Sequence, residues 1–120
     1  MILAVLFDER HAAWAADRLA EHAPALRMST VNLTEVLIVL RDRQPQQFEA
    51  LERRVLESGI RFVAPDADQA RIAAEARGRM PLNLGDCFAY ALAAVEGCPI
   101  LTVDADFARL DHPVLLPNRA

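Results

Sequence analysis

The chain has 120 residues, a length typical of one domain that can bury a core without disulfides or structural metals. Its net charge is −4 and all 13 basic residues are arginine, which argues against a protein that coats nucleic acid through a broadly basic surface. No apolar run is long enough to span a bilayer and no signal peptide is visible, so we expect one cytoplasmic domain over residues 1–120 without membrane contact.

The first half of the chain alternates helical and strand patterns. The predicted elements are an apolar run at 1–7, a helix at 10–23, a strand at 25–29, and helices at 32–43 and 46–57. The run at 1–7, MILAVLF, fits either a buried strand or a short helix, because periodicity cannot decide at this length. Asn32 is the predicted N-cap of the helix at 32–43, and Glu35 lies three residues after it, as in a capping box.

The second half continues this alternation. The predicted elements are a strand at 60–64, a helix at 66–78, a helix at 84–97, a strand at 99–103, a short helical turn after Asp104, and a strand at 114–117. Strands that alternate with helices favour a mostly parallel sheet between layers of helices. We therefore predict a three-layer α/β/α fold.

Three acidic residues lie near the predicted carboxyl ends of strands, where ligands collect in open α/β sheets. Asp104 follows the strand at 99–103 directly, and Glu35 and Asp86 lie in first turns of helices. Taken singly, Glu35 and Asp86 fit a helix-capping role better than a ligand role, and Asp104 fits the start of a turn. Taken together, they predict a site for Mg²⁺ or Mn²⁺, which prefer oxygen ligands, and no His/Cys pattern suggests zinc.

Three segments of the sequence resemble acidic motifs of VapC-type PIN domains. The resembling segments are 29–36 (STVNLTEV) for the second motif, 83–93 (NLGDCFAYALA) for the third, and 101–110 (LTVDADFARL) for the fourth. Their order and spacing also match, and the similarity extends from Met1 to about Pro117. The segment at 83–93 is the most specific of the three.

The resemblance implies a Mg²⁺- or Mn²⁺-dependent endoribonuclease, the toxin of a toxin–antitoxin pair. It implies that Glu35, Asp86 and Asp104 are both metal ligands and catalytic residues. Asp106 would be an auxiliary ligand or, equally well, the cap of a short helix. The expected partners are an RNA substrate, a small antitoxin that covers the acidic cleft, and a second copy of the chain in a homodimer. The polar side chains expected to hydrogen-bond the carboxylates are Ser29, Asn32 and Thr102.

The chain departs from the family pattern at its beginning. The family's first motif is an apolar strand that ends in Asp followed by Thr or Ser, and this sequence has no such motif. In one register MILAVLF matches the first helix, so the first strand and its Asp are absent. In the rival register residues 1–7 replace the first strand, and Asp8 supplies the carboxylate. Loss of the strand would open two strand edges to pairing and weaken metal binding.

Two other functions are compatible with parts of this pattern. A catalytically inactive PIN-like module would act only through protein–protein contacts, and metal affinity would distinguish it from the enzyme. A receiver-type domain with an acidic phosphate-accepting pocket is disfavoured, because that site needs a lysine and the chain has none.

Overall fold

The helices and strands occur in nearly the predicted order. A computed structural model describes residues 1–118. The helices are α1 (Ile2–Leu6), α2 (Ala12–Glu21), α3 (Thr30–Arg43), α4 (Phe48–Leu56), α5 (Ala67–Arg79) and α6 (Leu84–Glu96), with 3₁₀ turns at Ala23–Ala25 and Ala105–Arg109. The strands are β1 (Arg27–Ser29), β2 (Arg61–Val63), β3 (Ile100–Leu101) and β4 (Val114–Leu115). No helix within residues 1–118 combines the length and the apolar character required to cross a bilayer.

Side-chain caps fix the starts of three helices. Asp66 caps α5 by accepting a hydrogen bond from Gln69 N–H at 2.9 Å. At α3 the cap is Ser29, whose hydroxyl accepts from Val31 N–H at 3.2 Å. The predicted cap, Asn32, was therefore wrong: it lies inside the first turn of α3, whose N-cap is three residues earlier than expected. Its side chain is free to contact α6 instead.

The strands are parallel, as predicted, but within residues 1–118 they form two separate pairs. β1 pairs with β2, with Met28 opposite Phe62, and β3 pairs with β4, with Ile100 opposite Val114. Helix α6 contacts both β1 and β3, so it joins the two halves of the molecule. The α/β/α arrangement is thus present, with a break in the middle of its sheet.

The apolar run at 1–7 forms a helix rather than a strand. Ile2–Leu6 form α1, and the side chains of Ile2 and Ala4 are buried. The register in which residues 1–7 replace the first strand is therefore wrong. Asp8 lies exposed in the turn after α1, with a left-handed backbone φ of 51°, and does not end a strand. A five-residue helix is stable here because it packs its apolar face onto neighbouring elements.

Two hydrophobic clusters fill the interior. The α3–α4 core consists of the buried residues Ile2, Val36, Leu40, Phe48 and Val55. The α5–α6 core consists of the buried residues Ala73, Ala76, Leu82, Cys87, Tyr90, Ala91, Ala93, Ile100 and Phe107. Cys87 is a free thiol that is buried in this core as a small residue. The acidic residues of interest lie between these two cores.

Candidate active site

Asp86 is the most buried of the predicted site carboxylates. It lies in the first turn of α6, and its backbone N–H donates to the Oδ1 of Asn83, the N-cap, at 2.8 Å. Burial raises the pKa of the Asp86 carboxyl, and the negative charges of Asp104, Glu35 and Asp106 raise it further. A separate hydrogen bond, from the backbone N–H of Asn83 to the Asp86 carboxyl, lowers the pKa. Burial is the larger cause of this shift, and the charges of Asp104, Glu35 and Asp106 add to it.

Glu35 reaches the start of α6 from α3. The Nδ2 group of Asn32 donates to Glu35 Oε1 at 3.1 Å and to the carbonyl oxygen of Gly85 at 2.9 Å. A Cβ atom at position 85 would collide with both carboxylate oxygens of Glu35. The absence of a side chain at Gly85 therefore lets the Glu35 carboxylate approach α6 beside Asp86.

Asp104 and Asp106 are exposed and lie after β3. Asp104 N–H donates to Thr102 Oγ1 at 3.1 Å, and Asp104 Oδ1 accepts from Asp106 N–H at 2.9 Å. Asp104 therefore caps the 3₁₀ turn, and the predicted cap role of Asp106 was wrong. One carboxylate oxygen of Asp104 remains without a protein donor in these hydrogen bonds.

The predicted supporting side chains differ in what they contact. Asn32 contacts the Glu35 carboxylate, whereas Thr102 contacts the Asp104 backbone and Ser29 caps α3. Three arginines on α3 and α5 make contacts elsewhere. Arg41 stacks on Phe48, Arg43 stacks on Phe7 and approaches Glu9, and Arg79 binds Asp111 and Tyr90.

The oxygen-only donor set suits Mg²⁺ or Mn²⁺, and a divalent cation would remove the repulsion that raises the pKa of Asp86. The geometry is open, because no three carboxylate, histidine or cysteine side chains in residues 1–118 stand close enough together to surround one ion. The donor chemistry therefore fits such an ion, while the side chains are spread over an acidic surface.

Comparison with known proteins identifies the family. The PIN domain model matches residues 1–113. The chain belongs to the PIN domain family. This PIN domain is 41% identical over 100 residues to a VapC ribonuclease from Mycobacterium bovis, with 76% of each chain covered. It is 38% identical over 109 residues to a VapC ribonuclease from Mycolicibacterium smegmatis, with 83% of each chain covered. It therefore groups with the VapC ribonucleases.

A solved structure shows the same fold. A toxin–antitoxin complex from Klebsiella pneumoniae contains a chain that superposes on this PIN domain with a TM-score of 0.70 at 23% sequence identity. The match covers 95% of this chain and 91% of that chain. This agreement supports the α/β/α architecture.

Sequence reasoning missed two features of the site. Gly85 was part of the most specific motif, yet no role was predicted for it. The sequence contained an indication of this role: glycine in the first turn of a helix is less stable than alanine, so its presence suggests that a side chain would not fit there. The bridge from Asn32 to the Gly85 carbonyl joins residues 53 apart in sequence, so no local pattern could have indicated it.

Proposed function

We propose that this PIN domain is a Mg²⁺- or Mn²⁺-dependent endoribonuclease and the toxin of a toxin–antitoxin pair. Glu35, Asp86 and Asp104 are its metal-binding and catalytic residues, with Asp106 as an auxiliary ligand. The observation that carries this proposal is the half-buried Asp86 carboxylate, whose pKa is raised by burial and by three neighbouring carboxylates. Burying a carboxylate near other negative charges is unfavourable, and a bound cation would remove that cost.

When bound, the cation supplies positive charge that neutralises the carboxylates and polarises the scissile phosphate. The chain's own residues set the geometry. Asn32 orients Glu35 through the hydrogen bond to Oε1, and Gly85 leaves the space that Glu35 occupies. The positive end of the α6 dipole lies at Asp86 and favours an anionic group there.

The proposed partners are an RNA substrate, an antitoxin and a second copy of the chain. RNA phosphates would approach the cation over the exposed faces of Asp104 and Asp106. The antitoxin would cover the same acidic surface, and an arginine or lysine among the carboxylates would replace the cation electrostatically. Its binding would exclude RNA, which is the basis for inhibition.

The test is RNA cleavage by wild type and Asp86→Asn with Mg²⁺ or Mn²⁺, with EDTA as the metal-free condition. Loss of this carboxylate should lower the cleavage rate on the order of 100-fold, as removal of one charge-stabilising group does in other active sites. Asp68→Asn is the matched control, because Asp68 also lies in a helical first turn but pairs only with Arg71 on the surface. Equal cleavage by wild type and Asp86→Asn would contradict the proposal.

A catalytically inactive module that acts through protein contacts is the second candidate. The observation in its favour is the open geometry, in which residues 1–118 bring no three ligands around one point. Titration with Mn²⁺ separates the two candidates. The enzyme should bind Mn²⁺ with an affinity that falls in Asp86→Asn, and the inactive module should show no difference between the variants.

A further inference from the structure

A cavity lies beside the acidic site, between the turn that joins α1 to α2 and the segment that carries Asp104. Residues 9–11 of the turn line one wall, and Val103 and Ala105 line the opposite wall. The volume of the cavity is about 590 Å³, within the range of sites that hold a nucleotide-sized ligand. Asp104 is the residue between Val103 and Ala105, so a ligand in the cavity would lie next to the metal-binding carboxylates.

The backbone of the α1–α2 turn is fixed in an unusual conformation. Glu9 N–H donates to the carbonyl oxygen of Ala4 at 2.8 Å, which ties the turn to α1. Asp8 and His11 have left-handed φ values of 51° and 68°, a region that is unfavourable for residues with a side chain. Such conformations persist where surrounding contacts hold them, and they often position functional groups. The turn therefore brings Arg10 and His11 to the cavity wall on a defined backbone.

The side chains of Arg10 and His11 offer hydrogen-bond donors that the protein does not use. Neither side chain takes part in a hydrogen bond or an ion pair within residues 1–118. The Glu9 carboxylate of the same wall lies 3.5 Å from Nη1 of Arg43, which offsets its negative charge. A guanidinium group with free N–H donors suits an anionic ligand, and phosphate in particular.

The remainder of the cavity lining is apolar. Ala4, Leu116 and Pro117 line the cavity together with Val103 and Ala105, and none of these side chains can form a hydrogen bond. Apolar walls suit the flat face of a nucleobase, because its contact with them removes apolar surface from water. Donors on one wall and apolar atoms on the others therefore match a nucleotide, which combines an anionic phosphate with a flat base.

We propose that this cavity holds one nucleotide of the RNA substrate, next to the phosphodiester that is cleaved. Arg10 and His11 donate hydrogen bonds to the phosphate of that nucleotide, and its base packs on the apolar walls. The substrate is single-stranded here, because only an unstacked base can turn into a cavity. This inference rests on the proposed ribonuclease function, because it takes the ligand to be RNA.

The first test measures the affinity for a short, dye-labelled single-stranded RNA by fluorescence anisotropy, with EDTA present to prevent metal-dependent cleavage. Arg10→Gln should weaken binding roughly 10-fold, because a charge-assisted contact to phosphate is lost. The slope of log affinity against log salt concentration should become shallower by about 0.7, the value for one phosphate contact on a single strand. Arg10→Lys should recover part of the affinity, because lysine keeps the charge but not the paired donors.

Arg54→Gln is the matched control for the change in net charge. Arg54 is exposed on α4, does not line the cavity, and is in none of the ion pairs that the structure describes for residues 1–118. Its substitution should change RNA affinity by less than about 2-fold, because salt screens distant surface charges.

His11→Gly tests the imidazole and leaves the left-handed turn accessible, because glycine adopts positive φ readily. RNA affinity should fall roughly 3-fold, less than in Arg10→Gln, because a hydrogen bond from a neutral group is weaker than one from a charged group. Unchanged affinity in His11→Gly would show that the imidazole does not bind the phosphate.

Ala105→Leu tests whether the base occupies the cavity. The larger side chain fills part of the space without changing charge, so RNA affinity should fall roughly 5- to 10-fold. Ala108→Leu is the matched control, because Ala108 lies in the same 3₁₀ turn and does not line the cavity. NMR titration with each common nucleoside 5′-monophosphate should shift the amide signals of His11 and Ala105 in the wild type. Inorganic phosphate should bind at least about 5-fold more weakly than the nucleotides, because it lacks a base.

RNA cleavage distinguishes failure of this inference from failure of the proposed function. In Arg10→Gln, KM should rise roughly 10-fold while kcat stays within about 2-fold, because a contact made equally in the ground and transition states affects KM alone. If the wild type cleaves RNA and Arg10→Gln has the same KM, the nucleotide site is wrong and the ribonuclease activity stands. If RNA binding depends on Arg10 but no RNA is cleaved, the binding site stands and the ribonuclease activity is wrong.

Four outcomes of the binding experiments would overturn the nucleotide site. The first is the absence of RNA binding by the wild type. The second is an equal loss of affinity in Arg10→Gln and Arg54→Gln, which would indicate general electrostatic attraction. The third is equal affinity for RNA in Ala105→Leu and Ala108→Leu, which would leave the cavity unoccupied by a base. The fourth is equal affinity for inorganic phosphate and for the nucleotides, which would indicate a simple anion site.

Discussion

The two halves of the molecule are built differently. In the α5–α6 core nine residues are buried and five more apolar side chains are partly buried, whereas in the α3–α4 core five are buried and nine are partly buried. Helices α5 and α6 are close in sequence and meet through small residues such as Ala73 and Ala91, which allow close approach. The α3–α4 half uses larger side chains, most of which stay only partly buried. The α5–α6 half is thus more fully packed than the α3–α4 half.

The candidate site lies where the two halves meet. Glu35 comes from the α3–α4 half, and Asp86 and Asp104 come from the α5–α6 half. The hydrogen bonds of Asn32 to Glu35 and to the Gly85 carbonyl cross this boundary. The position of the carboxylates relative to one another therefore depends on how firmly the halves are joined.

The largest effect on stability should come from removing a buried side chain from the α3–α4 core. Leu40 is fully buried in the α3–α4 core, and Leu40→Ala should lower the free energy of unfolding by about 3 kcal/mol through lost burial and a residual cavity. Urea denaturation measures this change. Ile38→Ala on the exposed side of α3 is the control and should change it by less than about 0.5 kcal/mol. A loss of under about 1 kcal/mol for Leu40→Ala would show that this half tolerates cavities.

The junction between the halves should be sensitive to one methyl group. In Gly85→Ala the added Cβ displaces the flexible end of Glu35, so the fold should survive while Mn²⁺ affinity falls roughly 10- to 100-fold. Calorimetric titration with Mn²⁺ measures the affinity. Gly78→Ala in α5 is the matched control, because a Cβ there meets open space. That control should leave affinity unchanged and raise stability by roughly 0.5–1 kcal/mol. Unchanged Mn²⁺ affinity in Gly85→Ala would show that Glu35 does not contribute to binding the ion.

The pH dependence of stability should report the repulsion at Asp86. Burial and neighbouring charges raise its pKa above the ordinary 3.8, so the folded chain binds this proton more tightly than the unfolded chain. Well below the ordinary pKa the carboxyl is protonated in both states, so it does not change the free energy of unfolding. As pH rises from the ordinary pKa through the folded pKa, the charged carboxylate lowers the free energy of unfolding. Asp86→Asn should therefore be more stable than wild type at pH 7, and the difference should vanish near pH 3. Urea denaturation across this range measures it, and saturating Mg²⁺ should reverse the order at pH 7.

The smallest effect is expected at the surface link of the α5–α6 half. Arg79 donates to Asp111 at 2.6 Å and lowers the pKa of that carboxyl, with a further contribution from the Tyr90 hydroxyl. The stability from this contact is present above the ordinary carboxyl pKa and is lost as pH falls through the lowered, folded pKa. Asp111→Asn should be slightly less stable than wild type at pH 7, with no difference in strong acid. Salt should reduce this difference, because both side chains are exposed. If Asp111→Asn lowered the free energy of unfolding more than Leu40→Ala does, the order of these predicted effects would be wrong.

Local patterns predicted the helices of the α5–α6 half well. Asp66 and Asn83 are polar residues directly ahead of helical apolar patterns, and both cap helices in the structure. At α3 the predicted cap was Asn32, whereas Ser29 caps the helix; both residues have good capping side chains, and the sequence alone does not rank them. The error mattered, since Asn32 as a helix residue reaches across to Gly85.

The sequence by itself determined the family motifs, the alternation of helices with parallel strands, and the identity of the acidic residues. Tertiary structure decided what residues 1–7 become, because seven apolar residues satisfy a buried helix and a buried strand equally well. It also decided that the strands divide into two pairs, since pairing joins segments far apart in the chain. The approach of Glu35 to α6 depends on space left by Gly85, 50 residues away. Contacts at that separation are set by packing, which no local periodicity records.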